Sequence, residues 1–255
     1  MKNMKTRMIS VCMATYNGER WIEEQLKSIL SQLGEGDEVV LVDDGSSDST
    51  LDKVERFADS RVHIFRNDNN LGEVQTFQKA LAYARGDVLF LCDQDDVWYP
   101  GKVSRVMQAF DKHPNVTLVL SDAQIINSAG RVTGATYFGN RGKFIPGVIP
   151  NIIKSKFLGC AIAVKSSMRD CFLPFPEQTS AHDTWIGIIN EYYGKTHFIP
   201  ETLIGYRRHD RNTSSEHRQS FKQIVRWRCQ LISSFAKRLW QLKRFTFKRP
   251  PPLTL

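Results

Sequence analysis

Short apolar runs and longer segments with helical spacing alternate between residues 8 and 92. The apolar runs cover residues 8–15, 38–42, 62–65 and 88–92. Between them lie segments 19–33, 48–57 and 73–84, in which apolar residues recur at steps of three and four. Strands that alternate with helices of this length are typical of a mostly parallel sheet with helices on both faces. We therefore predict an α/β fold.

Polar residues stand at the ends of three of these predicted strands. They occupy positions 15–17, 43–44 and 93–96. In a sheet of this type, ligands bind beyond the carboxyl ends of the strands, which lie at one edge. The three polar groups are therefore expected to converge on one site.

The third group belongs to the stretch LCDQDDVWYP, in which Asp93, Asp95 and Asp96 lie within four residues. Carboxylates this close repel one another unless a cation or a proton relieves the repulsion. Oxygen ligands suit Mg²⁺ or Mn²⁺, and such a metal keeps positions open for phosphate oxygens. Because alternate residues of an extended segment point the same way, Asp93 and Asp95 can face one ligand while Gln94 faces away. The alternative is that one acid caps the following helix and the others are solvated.

The first strand-to-helix turn lacks a dinucleotide-binding loop. It reads ATYNGER, without the GxGxxG pattern, and the chain has no Walker A sequence. Phosphate charge would therefore be met mainly by a metal, which agrees with the acidic stretch.

The composition is that of a soluble globular chain. Of its 255 residues, 41% are hydrophobic and 24% are charged, so it can bury a sizeable core. It contains no apolar run of the ~20 residues needed to span a bilayer and no apolar leader, so we expect neither a transmembrane helix nor a signal peptide. Five scattered cysteines without CxxC spacing are expected to be reduced thiols, which predicts a cytoplasmic protein.

Positive charge is concentrated in a C-terminal tail. Residues 218–255 hold ten Lys and Arg and no Asp or Glu, a charge of +10; since the whole chain carries +8, residues 1–217 sum to −2. Apolar residues recur at helical spacing from Phe221 to Leu242, and prolines at 250–252 would end the helix. A basic amphipathic helix suits the surface of an anionic membrane. Alternatively it packs on the body with its charges solvated; nucleic acid is disfavoured because the body is slightly acidic.

An ordered set of motifs lies between residues 9 and 212. It comprises VCMATYNGERWIEEQLKSIL, VLVDDGSSDST, NNLGEVQTFQKALAYARGDVLFLCDQDDVWYPGK, AHDTW and YRRHDRN. The set resembles the family 2 glycosyltransferases of GT-A type, and particularly the bacterial rhamnosyltransferase-like group. The resemblance implies a Rossmann-like GT-A domain over residues 1–217, with a nucleotide-binding half at about 1–122 and an acceptor half at about 123–217, before the tail 218–255.

The resemblance implies roles for residues of the nucleotide-binding half. Ala14 and Tyr16 would line the nucleotide base, with Tyr16 stacked on it. Asp44 would accept a hydrogen bond from the base imide. Two side chains have plainer interpretations. Tyr16 would be a loop aromatic packed on the sheet edge. Asp43 would accept hydrogen bonds from the amides of the following turn, and for Asp43 we favour this structural role.

The resemblance also implies a metal site. Residues 93–95 fill the family's DxD position, where Asp95 would bind the Mg²⁺ or Mn²⁺ that bridges the diphosphate. Asp93 would assist it or hold the ribose. His209, in YRRH, occupies the place of a further metal or diphosphate contact, although a lone histidine is more often a surface or core residue.

Asp183 in AHDTW occupies the family's catalytic-base position. Many members have Glu-Asp here, whereas this chain has His182 before the aspartate, which puts any role of the preceding acid in doubt. Without the resemblance, Asp183 would be interpreted as a helix N-cap. Gly159 and Cys160 fall in the segment beside the acceptor site. Trp185 is a further acceptor candidate, although we favour a wall or core position for it over that of a sugar platform.

These roles predict a metal-dependent glycosyltransferase that inverts the anomeric configuration. Its donor would be a dTDP- or UDP-sugar, with rhamnose favoured by DQDDVW. Its acceptor would be a saccharide or a polyprenyl-diphosphate-linked saccharide at the inner face of the cytoplasmic membrane, in polysaccharide synthesis. A sugar-nucleotide pyrophosphorylase is disfavoured because ATYNGER lacks a Gly- and basic-rich loop. The alternative from another class is a non-catalytic nucleotide-sugar-binding or membrane scaffold protein.

Overall fold

The computed structural model describes residues 7–210 and 220–246. Within these ranges nine strands form one sheet. The strands are β1 (Ile9–Thr15), β2 (Glu38–Asp43), β3 (Val62–Arg66), β4 (Val88–Asp93), β5 (Val97–Trp98), β6 (Leu118–Asn127), β7 (Val132–Thr136), β8 (Ile162–Lys165) and β9 (Thr196–Arg208). The helices are α1 (Ile22–Leu30), α2 (Thr50–Glu55), α3 (Glu73–Tyr83), α4 (Lys102–Lys112), α5 (Tyr137–Arg141), α6 (Val148–Ile153), α7 (Arg169–Phe172), α8 (His182–Tyr193) and α9 (Phe221–Thr246). The predicted α/β fold is confirmed.

The sheet joins a parallel half to a mixed half. β3, β2, β1 and β4 are parallel neighbours in that order. β8 pairs antiparallel with both β4 and β6, and β9 runs parallel to β6. β5 and β7 add antiparallel pairs to β9 and β6. The first half is the parallel sheet that the alternating pattern predicts, and β8 connects it to the rest.

The central strands are buried on both faces, which explains their continuous apolar runs. All six residues of β2 are buried, and β1 and β4 are buried except for one residue each. β3 lies at the edge of the sheet, and its Ile64 and Phe65 are exposed. In α1, Ile22, Leu26 and Ile29 form the buried face.

Turns precede both α1 and α2, and α1 begins later than predicted. The backbone amides of Trp21 and Ile22 both donate to the Gly18 carbonyl, so α1 begins at Ile22 rather than at residue 19. Asp48 Oδ1 accepts the Thr50 amide at 3.0 Å, which places Asp48 in the turn before α2. Local hydrogen bonds of this kind do not change hydrophobic periodicity, so the pattern alone extends the helices into their turns.

The predicted basic amphipathic helix is present as α9, and it packs on the body. Leu231 and Phe235 lie against the hydrophobic core. The buried Arg238 guanidinium donates to the carbonyls of residues 171, 173 and 174. The prolines predicted to end the helix fall outside the described residues. None of the described helices has the length and apolar character needed to cross a membrane, and the five cysteines are free thiols.

Candidate active site

A cleft of about 1220 Å³ lies at the carboxyl ends of β1, β2 and β4. The register places Ala14 beside both Val42 and Asp93, so these strands end at the same level. Their polar ends therefore reach the cleft together. The remaining walls come from α3, α5, residues 155–159, the start of α8 and the end of β9.

The loop after β1 presents Tyr16 to the cleft, with 49% of its surface exposed. Gln94 holds this loop through two hydrogen bonds to the Tyr16 backbone. Asn17 adopts a left-handed conformation with φ 48°. A Cβ atom at Gly18 would lie 2.1 Å from Gln94 Oε1, so only glycine leaves room for Gln94 in its present place.

The two acids that follow one another at the end of β2 have different partners. Asp43 is buried and accepts the amides of residues 45–46, so it shapes the turn as predicted. Asp44 lines the cleft. Its carboxylate accepts hydrogen bonds from the Asn67 side chain and from the amides of residues 71–72, all at 2.8 Å. These donors fix the orientation of the Asp44 carboxylate.

The three acids of the acidic stretch differ in their position relative to the cleft. Asp93 and Asp95 line the cleft, whereas Asp96 is completely buried. His209 Nε2 lies 2.7 Å from Asp95 Oδ2, which joins the end of β9 to the acidic stretch. Asp96 Oδ1 accepts the Arg207 amide at 2.9 Å. Two acids therefore face the cleft, and the third fixes β9.

Burial and mutual repulsion disfavour the ionised forms of Asp93 and Asp96. Burial, followed by repulsion from Asp96 and other acids, raises the pKa of Asp93 well above its usual range. Burial also raises the pKa of Asp96 to about 7 and that of the Cys160 thiol well above its usual range. Single ligand atoms of Asp93, Asp96 and Cys160 lie within 4.8 Å of one another, but a protonated thiol is a poor ligand for hard cations. The carboxylate oxygens of Asp93 and Asp95, with His209 beside them, are the donors that fit Mg²⁺ or Mn²⁺.

Buried polar side chains beneath the acidic stretch donate hydrogen bonds to backbone carbonyls. Gln25 Nε2 and Arg207 Nε donate to the backbone carbonyls of residues 93 and 95 at 2.9 and 2.6 Å. Lys102 is buried, and its Nζ donates to the Cys160 carbonyl at 2.8 Å. Burial lowers the pKa of Lys102 to about 8. The contacts of Gln25 and Arg207 position the backbone from which the cleft acids extend.

α8 brings Asp183 to the same cleft. Asp183 is the second residue of the helix and not its N-cap, and burial raises its pKa. Beside it, His182 Nδ1 lies 3.4 Å from Glu73 Oε1, and its ring stacks on Phe77 with centroids 4.1 Å apart. A Cβ atom at Gly159 would lie 3.0 Å from His182 Nε2. The absence of a side chain at Gly159 therefore lets His182 occupy this position.

The family model described as glycosyl transferase family 2 matches residues 10–172, well over half of the chain. The chain belongs to this family. The resemblance drawn from the motifs is thereby confirmed at the level of a family 2 glycosyltransferase of GT-A type, while the rhamnosyltransferase-like subgroup stays a prediction.

Among the relatives of this family 2 glycosyltransferase is WfgD of Escherichia coli, the UDP-Glc:alpha-D-GlcNAc-diphosphoundecaprenol beta-1,3-glucosyltransferase. It is 28% identical over 193 residues, which cover 74% of this chain and 72% of WfgD. Other relatives are covered less fully: a Haemophilus influenzae glycosyltransferase is 31% identical over 121 residues, which are 47% of this chain and 38% of that protein.

Solved structures share the fold. TarS from S. aureus, in complex with UDP-GlcNAc, has a TM-score of 0.67 and 19% identity, with 96% of this chain and 76% of that chain covered. The mannosyltransferase PcManGT from Pyrobaculum calidifontis, in complex with GDP-Man and Mn²⁺, has a TM-score of 0.62 and 18% identity, with 98% and 78% covered. At these identities the likeness establishes the GT-A fold of this family 2 glycosyltransferase.

Most of the predicted site residues of the transferase line the cleft: Ala14, Tyr16, Asp44, Asp93, Asp95, Gly159, Asp183 and His209. Two predicted acceptor residues do not. Cys160 is fully buried behind the cleft, and Trp185 is 1% exposed, with its Nε1 donating to the Phe172 carbonyl at 2.9 Å. Both are core residues, so the structure does not support an acceptor contact by either side chain, whereas Gly159 of the same segment lines the cleft.

Several residues around the cleft of the transferase were not predicted. Tyr137, Asn140 and Arg141 of α5 line it, but YFGNR carries no motif that marks it as part of a site. Lys102 and Arg207 are buried beneath it, although their charges are typical of surface positions. Only their hydrogen bonds to the backbone identify them as structural supports.

Proposed function

We propose that the chain transfers a sugar from a nucleotide-diphosphate donor to a hydroxyl of a saccharide or lipid-linked saccharide, with inversion. The observation that carries this proposal is the meeting of Tyr16, Asp44, Asp93 and Asp95 with Asp183 in one cleft. The first four side chains come from the proposed nucleotide-binding half, residues 1–122. Asp183 comes from the proposed acceptor half, residues 123–217.

The donor base lies against Tyr16 and Asp44. The half-exposed Tyr16 ring offers a flat surface on which a base can stack. Asp44 is held by three hydrogen bonds, and its oxygens retain lone pairs that accept an imide N–H. Uracil and thymine carry such a group, which agrees with a UDP- or dTDP-sugar. WfgD, by its name, uses UDP-Glc, so a UDP-hexose is the first donor to test and dTDP-rhamnose the second.

Asp93, Asp95 and His209 would hold a divalent metal, Mg²⁺ or Mn²⁺. When bound, the metal neutralises the charge that builds on the diphosphate as the anomeric bond breaks. Gln25 and Arg207 hold the backbone of this site in place through hydrogen bonds to the carbonyls of residues 93 and 95. The Mn²⁺ in the PcManGT complex supports the choice of metal.

Asp183 acts as the general base. It lines the cleft, where an acceptor hydroxyl can approach it. Burial raises its pKa, which increases its affinity for the proton that the attacking oxygen loses. Direct displacement with a single base inverts the anomeric configuration. His182, held by Glu73 and Phe77, packs beside Asp183 and restricts the start of α8.

The acceptor is proposed to be linked to a polyprenyl diphosphate, as the name of WfgD states for its own acceptor. α9 supports a peripheral membrane location at the inner face of the cytoplasmic membrane. Its exposed residues include Val225, Ile232 and Trp240 together with lysines and arginines, and it has no acidic residue. Such a surface binds anionic headgroups while its apolar side chains enter the interface.

The test is thermal unfolding with dTDP, UDP and GDP, each with and without Mn²⁺, on the wild type and on Asp95→Ala. We expect one nucleotide to raise the Tm only when Mn²⁺ is present, and we expect Asp95→Ala to lose that increase. The effective nucleotide then selects the donors for a transfer assay. If no nucleotide stabilises the wild type under any condition, the cleft is not a donor site and the proposal fails.

A further inference from the structure

Three isoleucines near the rim of the cleft are unusually exposed. Ile145, Ile149 and Ile153 are 55%, 71% and 68% exposed. Ile149 and Ile153 lie four residues apart on α6 and therefore on one face of that helix. Isoleucine is among the residues most often buried, and clustered exposed apolar side chains mark interaction surfaces.

The charged residues of the chain around these isoleucines are all basic. Residues 123–169 contain seven Lys and Arg and no Asp or Glu. Arg141 and Lys143 precede α6, and Lys154 and Lys156 follow it. Within residues 7–210 and 220–246, none of these four cations forms an ion pair with a carboxylate. Lys156 Nζ donates to the Lys143 carbonyl and the Arg141 guanidinium lies over the Tyr137 ring. Neither contact supplies a negative charge, so all four positive charges remain available to an anionic partner.

The exposed face of α6 is held in place and does not belong to a loose loop. Buried Asn151 donates to the carbonyls of Ile145 and Gly147 at 3.0 and 2.9 Å, which ties the preceding loop to the helix. Glu191 of α8 accepts the Gly147 amide, so this acid is engaged with the backbone of the loop. α6 also contacts α9, whose exposed residues include Ile232 and lysines.

We infer that residues 141–156 dock on the surface of an anionic lipid bilayer, with the three isoleucines in the headgroup region and the four cations against lipid phosphates. Protein interfaces are depleted in lysine at their centre and enriched in aromatics, whereas here lysines flank an aliphatic cluster. Basic side chains around exposed aliphatic ones are typical of interfacial helices. The contact with α9 makes this surface continuous with the basic helix.

This docking orients the cleft. Arg141, which precedes α6 in the chain, and Ser155, which follows it, both line the cleft. A bilayer in contact with α6 therefore lies beside the proposed acceptor wall. The inference does not depend on the proposed function, because vesicle binding is measured without donor, metal or transfer. Failure of the transferase proposal in the thermal-shift test would leave it unaffected.

The test uses the full chain with vesicles of pure phosphatidylcholine and of phosphatidylcholine mixed with phosphatidylglycerol. The combined variant Ile145→Ser, Ile149→Ser, Ile153→Ser is expected to bind the anionic vesicles at least about tenfold more weakly than the wild type. Lys143→Gln with Lys154→Gln is expected to weaken binding to the anionic vesicles and to reduce its dependence on salt. Ile64→Ser, which removes an exposed isoleucine from the edge strand β3, is the matched control and is expected to bind as the wild type does.

Hydrogen–deuterium exchange on the wild type gives a second measurement that needs no variant. Amides of residues 142–154 are expected to exchange more slowly with anionic vesicles, and amides of β3 at an unchanged rate. Equal binding by the wild type and the triple isoleucine variant, or unchanged exchange over residues 142–154, would overturn the inference. So would a wild type that sediments as a dimer and a triple variant that sediments as a monomer, because a second copy would then cover this face.

Discussion

Gln94 and Tyr16 are joined by two hydrogen bonds between the acidic stretch and the loop after β1. The Tyr16 amide donates to Gln94 Oε1, and Gln94 Nε2 donates to the Tyr16 carbonyl, each at 2.9 Å. Gln94 is the middle residue of the DxD position, and Asp93 and Asp95 face the cleft on either side of it. The proposed metal ligands and the proposed base-stacking ring therefore share one support.

Gln94→Leu replaces the amide with a somewhat shorter apolar side chain and removes both hydrogen bonds. Each contributes about 0.5–1.5 kcal/mol, so the Tyr16 loop should lose its fixed position and nucleotide affinity should fall about tenfold. Isothermal titration with the effective nucleotide measures this change. Gln108→Leu, on the exposed face of α4, is the control. An affinity within twofold of the wild type would show that the loop is held in place without Gln94.

Asp183→Asn is expected to lower the rate of transfer by about 10²- to 10⁴-fold, because the amide cannot accept the acceptor proton. Donor affinity should not change, since Asp183 is not assigned to the nucleotide. Asp170→Asn, at an exposed acid of α7, should keep the wild-type rate. A variant that binds donor and still transfers at the wild-type rate would remove Asp183 from the mechanism. A wild type that binds donor but transfers nothing to any saccharide would favour the non-catalytic alternative.

The pH dependence of Asp183 has a definite sign. Burial raises its pKa in the folded protein above the ordinary value of 3.8, and only the ionised form acts as a base. The rate of transfer should therefore fall as the pH drops through this raised pKa. In the folded protein Asp183 binds its proton more tightly than in the unfolded chain, so its contribution to stability is complete below the unfolded pKa and is lost as the pH rises through the folded pKa.

Chemical denaturation at several pH values checks the second half of this prediction. Asp183→Asn has no carboxylate to ionise, so its free energy of unfolding relative to the wild type should increase as the pH rises from about 4. The sign would be wrong if the wild type gained stability over the variant in the same interval.

His209→Gln should weaken binding of the metal on which donor binding depends. His209 Nε2 lies 2.7 Å from Asp95 Oδ2 and its ring stacks on Trp21, so it is a ligand itself or orients Asp95. Loss of either role typically costs about 10- to 100-fold in metal affinity, which a Mn²⁺ titration of the Tm at saturating nucleotide would measure. His63→Gln on β3 is the control. An unchanged Mn²⁺ midpoint would exclude His209 from the metal site.

Deletion of residues 218–255 is expected to release the protein from anionic vesicles except for the binding that α6 supplies. The deletion also removes the core contacts of Leu231 and Phe235 and the hydrogen bonds of Arg238, so it should lower the Tm. Val225→Ser with Ile232→Ser changes only exposed side chains of α9. It should therefore weaken vesicle binding at an unchanged Tm, and full wild-type binding by this variant would contradict a membrane role for α9.

The parallel half of the fold was predictable because the burial of each strand is visible in that strand's own sequence. β1, β2 and β4 are buried on both faces, so each is written as an uninterrupted apolar run, and parallel strands place their ends at one edge. This is why Tyr16, Asp44 and Asp93 could be assigned to one site. The position of β8 between β4 and β6 depends on pairings between distant segments, which leave no local pattern in residues 162–165.

The acceptor wall was less predictable for a related reason. Helical spacing in α8 marks Trp185 as apolar but does not distinguish a residue facing the core from one facing the cleft. Arg141 and Arg208 line the cleft, although their charges are equally typical of an exposed surface. Their place depends on how α5 and β9 pack, which the order of residues along either element does not reveal.

Strand β8 has a mechanical consequence for the enzyme. Ala163 pairs with Phe90 of β4 on one side and with Val119 of β6 on the other, so one continuous ladder links the two halves. They cannot swing apart like the lobes of a hinged enzyme unless that ladder breaks. The two halves of the sheet are thus joined when the chain folds, before any substrate arrives. Any motion that admits the donor and releases the product must come from side chains and loops around a rigid frame.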